Sequence, residues 1–144
     1  MYAHPVMLSD CVAEVESSQN MRAMRFEPSF QPTQEAANII KAYATGGYMD
    51  NPTALNIAAT SWGMFQIMGE NLYTVCNYQR TLVDFLTSPM RQLVAFNAFL
   101  ASIGFQNVPF DSLKTSQILD FGQKYNGNGE AYAAALEKAY KELQ

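Results

Sequence analysis

Residues 11–28 read CVAEVESSQNMRAMRFEP, and the way this stretch folds decides how the chain is read. Leu8, Cys11, Val12 and Val15 recur at helical spacing. They predict a helix with Pro5 in its first turn and a stop at the polar run SSQN, residues 17–20. Pro28 and Pro32 mark the following segment as extended chain or turn, with a short strand expected around Met24–Phe26. The stretch holds three acids, Glu14, Glu16 and Glu27. On a wheel of about 3.6 residues per turn, Leu8, Val12 and Glu16 share one stripe, whereas Asp10 and Glu14 fall on a polar side. Glu16 thus ends the apolar stripe where the helix leaves the core, and Glu14 is expected to face water.

A carboxyl at such an edge loses part of its hydration, which raises its pKa and keeps it protonated at useful pH. That is the condition for a general acid acting on a glycosidic oxygen. Spacing alone favours the simpler alternative, a helix-end carboxylate bonded to backbone or arginine. Glu27 lies between Phe26 and Pro28, close to Arg22 and Arg25. It reads first as half of a structural ion pair and second as another site carboxylate.

Helix signals dominate the remaining chain. TQEAANIIKAYAT runs from Thr33 to the stop Gly46-Gly47, and a short helix starts at Pro52. Thr60 or Ser61 is expected to cap a further helix, WGMFQIMGENLYTVC, over residues 62–76. A weaker helix covers Arg80–Leu86, and Ser88-Pro89 opens a stronger one that Gly104 ends. TSQILDFGQKYN and EAYAAALEKAYKEL, separated by NGNG, complete the set, the last burying Tyr132, Leu136, Ala139 or Tyr140, and Leu143. The expectation is a single, mainly α domain over residues 1–144 with at most a very short β element.

The chain has 144 residues, 49% hydrophobic and 15% charged, so it can bury a real core. Its formal net charge of −4 argues against a nucleic-acid binder, which needs a basic face for phosphates. No apolar run reaches about 18 residues, so no membrane insertion is expected, and the first ten residues lack the features of a signal peptide. Cys11 and Cys76 are too far apart in sequence for a metal clip, and His4 is the one histidine. No metal and no cofactor is expected. Cys11 lies on the buried stripe and reads as a small hydrophobe rather than a nucleophile.

Two more stretches carry chemistry. In ATSWGMFQIMGEN, residues 59–71, Gly63 inside an apparent helix implies that something approaches the backbone closely. Trp62 is suited to stack on a sugar ring and Gln66 to bond hydroxyl or acetamido groups; equally, Trp62, Phe65 and Ile67 read as core. In KYNGNG, residues 124–129, Tyr125 ends a helix, and the Asn126-Gly127 turn would hold a hydroxyl and an amide over a cleft.

VESS, RFEP, SWGMFQIMG and YNG, in this order and spacing, resemble the N-acetylmuramidase domain of phage endolysins. That family is similar to goose-type lysozymes and soluble lytic transglycosylases, and the resemblance runs from about Val12 to Tyr140. It implies a lysozyme-like helical fold, Glu16 as the general acid, Ser61 and Gln66 lining a saccharide cleft, and Tyr125 and Asn126 closing it. Glu27 is carried over as a neighbour and second catalytic candidate, and Trp62 is kept as a substrate-binding candidate. Gln19 stands where the family's ESSG pattern has Gly, so the turn after the helix is expected to differ.

The implied function is cleavage of the β-1,4 bond between N-acetylmuramic acid and N-acetylglucosamine in peptidoglycan, by a monomer. A lytic transglycosylase forming 1,6-anhydro ends is the nearest alternative. A non-catalytic glycan-binding or virion module on the same fold, or a helical interaction protein, stands further off. The resemblance also implies a protein held in the host cytoplasm until a holin releases it to the wall, or one carried in the virion.

Overall fold

The computed structural model describes residues 4–144. Helix α1 spans Leu8–Ser17 and begins later than Pro5 suggested. Met7 is its N-cap, and the Asp10 carboxylate accepts the Met7 N–H at 2.8 Å. Leu8, Cys11 and Val12 are fully buried, as their spacing requires, and Val15 and Glu16 are half-buried beyond them. Glu14 is half-buried rather than fully exposed. The helix stops in left-handed backbone at Ser18 (φ 53°) and Gln19 (φ 64°). The Gln19 N–H reaches back to the Ala13 carbonyl at 3.0 Å, which satisfies a helix-end acceptor.

Strand β1, Met24–Phe26, follows where the prolines placed it. Helices α2 (Gln34–Tyr43) and α3 (Asn51–Ala58) start at side-chain caps: Thr33 accepts from the Ala36 N–H, Asp50 from that of Thr53. Next comes the main departure. Residues 62–76 are not one helix. Strand β2 (Thr60–Trp62), a turn and strand β3 (Ile67–Met68) form a hairpin that β1 extends to three antiparallel strands, and only Gly69–Tyr73 (α4) is helical. Gly63 (φ 81°) and Gln66 (φ 53°) adopt left-handed backbone, which a continuing helix forbids. Apolar residues at helical spacing here serve a tight hairpin.

Helices α5 (Leu82–Leu86), α6 (Pro89–Ser102), α7 (Thr115–Asn126) and α8 (Gly129–Leu143) complete a mainly α fold. Thr81, Ser88 and Asn128 cap α5, α6 and α8. The α7–α8 packing is close because Gly122 and Gly129 face the partner helix's backbone. α1 packs on α8, the last helix. Phe65 in the hairpin stacks on Phe96 of α6 with centroids 4.3 Å apart, and Phe96 and Phe121 both meet Tyr125. Such ring pairs contribute about 0.5–1.5 kcal/mol each beyond burial and fix the hairpin against the helices.

Candidate active site

The last turn of α1 presents Glu16 where three elements converge. Its Oε2 accepts the Tyr132 hydroxyl of α8 at 2.5 Å. Burial raises its pKa, and the Tyr132 bond and the Arg25 guanidinium on β1 oppose that rise. A carboxyl poised this way holds its proton more readily than an exposed one and can donate it to a substrate oxygen.

The strand register fixes what lies opposite. Arg25 pairs with Ser61, and Ser61 with Met68, so these side chains share one sheet face. Arg25 Nε lies 3.2 Å from Glu27 Oε1, an ion pair with the arginine 76% exposed. Glu27 therefore takes the ion-pair position that its sequence neighbours suggest, on the same arginine whose charge acts on Glu16. Exposed pairs of this kind contribute at most about 1 kcal/mol, so the pair orients the two groups more than it stabilises the fold.

Ser61, Gln66 and Gly63 close the hairpin on themselves. The Ser61 hydroxyl is 3.1 Å from Gln66 Oε1 and 3.3 Å from the Arg25 carbonyl, and Gln66 Nε2 donates to the Gly63 carbonyl at 2.9 Å. Ser17, beside Glu16, donates to the Met64 carbonyl at 2.8 Å and so fastens the end of α1 to the hairpin turn. Trp62 is 8% exposed and its indole N–H donates to the Ile57 carbonyl at 3.1 Å, the position of a core residue.

Tyr125 donates its hydroxyl to the Phe65 carbonyl at 2.6 Å, and it is near enough to Glu16 for that charge to push its pKa up further, after burial. With Gln66, Met68, Asn71 and Phe99 it lines a small pocket of about 70 Å³. Asn126 is exposed at the end of α7, and among the described residues no hydrogen bond ties its side chain to the others. A cavity of about 890 Å³ lies elsewhere, between the end of α6 and the start of α7, and none of these residues lines it. Among the described residues no three His, Cys, Asp or Glu cluster as a metal site. Burial pushes both thiols, Cys11 and Cys76, up to about 12, which leaves them poor nucleophiles.

The model of the family described as N-acetylmuramidase matches residues 12–144, from the apolar stripe of α1 to the end of α8. This chain belongs to the N-acetylmuramidase family. The endolysin of Enterobacteria phage PRD1 is 31% identical over 139 residues, covering 92% of this chain and 93% of its own. No solved structure matches. The family places the chain among peptidoglycan-degrading enzymes, and among the described residues no helix is long and apolar enough to cross a membrane.

Two residues that hold this arrangement together were not singled out in the sequence. Tyr132 sits on the apolar stripe of α8 and reads as core; the clue is that a buried phenol needs a hydrogen-bond partner. Gln92 is the other. It is 0% exposed, accepts the Met64 N–H at 2.8 Å, and donates to the carbonyls of Met21 at 2.8 Å and Phe85 at 3.0 Å. A Cβ on Gly63 would meet its Oε1 at 2.7 Å, so the close approach implied by Gly63 comes from Gln92.

Proposed function

We propose that this chain cleaves the β-1,4 glycosidic bond between N-acetylmuramic acid and N-acetylglucosamine, with Glu16 as the general acid. The observation that carries this reading is the half-buried Glu16 carboxyl, raised in pKa by burial and held by Tyr132 at the face shared by α1, α8 and the sheet. Glu16 gives its proton to the leaving oxygen as oxocarbenium character develops at the muramic acid carbon. In this reading Arg25, Ser61, Gln66, Tyr125 and Asn126 are the groups that contact the glycan. The chain acts as an endolysin, reaching the wall from the host cytoplasm.

The Arg25–Glu27 pair favours a course without attack by a second carboxylate. Glu16, once deprotonated, then takes a proton from the incoming nucleophile. Water gives hydrolysis; the muramic acid 6-hydroxyl gives a 1,6-anhydro end. Mass spectrometry of muropeptides released from purified peptidoglycan separates these. Products that carry one added water and a reducing muramic acid support the hydrolase. Anhydro ends assign a lytic transglycosylase instead. Binding to the wall with no released fragment would replace catalysis by a glycan-binding role.

A further inference from the structure

We propose that Tyr132 is a positioning residue, fixing which oxygen of Glu16 carries the transferable proton and stabilising the carboxylate left behind. This rests on Glu16 being the general acid. Tyr132 is 5% exposed on α8, and its hydroxyl lies 2.5 Å from Glu16 Oε2, across 116 residues of sequence. Its ring is held by Tyr125 and Phe121, with centroids 5.9 and 6.3 Å away, so the hydroxyl cannot swing off freely.

Burial pushes the phenol's pKa well up, so Tyr132 donates a hydrogen bond and does not itself ionise. A hydroxyl donating to Oε2 leaves the acidic proton on Oε1. In the reaction the Oε1 proton passes to the glycosidic oxygen, and the bond from the muramic acid carbon breaks with its electron pair on that oxygen. Glu16 becomes a carboxylate, and a hydrogen bond to a carboxylate is stronger than one to the acid. The Tyr132 contact therefore strengthens as the transition state forms, which accelerates the step. The charged or titratable groups facing Glu16 are Tyr132 on α8, Arg25 on β1, paired with Glu27, and Tyr125 on α7.

The test is Tyr132→Phe, which keeps the ring. Removing the hydroxyl takes away an interaction that favours ionised Glu16, so the pH at which activity falls on the alkaline side should rise by about one unit. The plateau kcat should drop roughly tenfold with KM within about twofold, because substrate binding is untouched. Carbon-13 NMR of the Glu16 carboxyl should show its titration midpoint rising in parallel. A midpoint and alkaline limb that stay in place, with Glu16→Gln inactive, would overturn the role of Tyr132 alone. A Glu16→Gln enzyme as fast as the wild type would overturn the general-acid reading beneath it.

Discussion

The Gln92 carboxamide oxygen lies 2.8 Å from the Met64 amide nitrogen, so a residue of α6 dictates the shape of the hairpin turn beside Glu16. The same side chain holds the Met21 and Phe85 carbonyls, which ties the segment after α1, the hairpin and α5 to one buried amide. All its polar atoms are satisfied. Gln92→Leu would strand the Met64 N–H and the Met21 carbonyl, whereas the Phe85 carbonyl keeps the Ser88 N–H at 3.3 Å. The expected loss is about 3 kcal/mol, read as a fall in melting temperature of roughly 10 °C, since an orphaned buried group costs about 1–3 kcal/mol.

Gly63 answers to the same side chain. Gly63→Ala forces a side chain into left-handed backbone and against Gln92 Oε1, and is expected to cost about 2 kcal/mol or more. In a Gln92→Ala background the collision is gone and only the backbone cost remains. A double-mutant cycle by denaturant unfolding should show coupling of about 1 kcal/mol. Simple additivity would contradict the contact.

What local pattern controls was legible in the sequence. The apolar stripe of α1, the helix starts at Thr33 and Ser88-Pro89, and β1 just before Pro28 are set by neighbours within a few residues. Helix periodicity put Glu16 at the end of the apolar stripe, and the resemblance, not the spacing, made it the general-acid candidate. The hairpin over 60–68 did not emerge, since Trp62, Phe65 and Ile67 mimic helical spacing while Gln92 and Tyr125, far along the chain, decide the backbone. Tyr132 stayed hidden for the same reason: its stripe is local, its partner lies 116 residues away.

Gln19 holds left-handed backbone at φ 64°, where the related pattern has glycine. The turn is left-handed with glutamine at this position. Gln19→Gly should relieve the strain and stabilise the protein by about 1 kcal/mol, seen as a higher urea midpoint at unchanged slope. A lower midpoint would mean that the side chain's own contacts outweigh the backbone strain.

Glu16 should also weaken the fold as pH rises. Burial raises its folded-state pKa above the unfolded value, so folding favours the protonated form. The stabilisation is fully present below the unfolded pKa and is lost as pH climbs through the folded one. Glu16→Gln cannot ionise, so unfolding at pH 4 and at pH 8 should show the mutant gaining relative to the wild type at the higher pH. A constant difference would place Glu16 in water.

Glu27 is held by Arg25, and Glu27→Gln is expected to lower kcat less than about tenfold, against the 10²–10⁴-fold typical of a lost general acid or base. Release of soluble muropeptides measures it.

The central claim is that Glu16 delivers the proton. The most direct measurement is the rate of muropeptide release from purified peptidoglycan by the wild type and by Glu16→Gln, both folded and at equal concentration. A fall of about 10³-fold is the predicted result, within the range that general acid catalysis supplies. Glu16→Gln cleaving at the wild-type rate would contradict it.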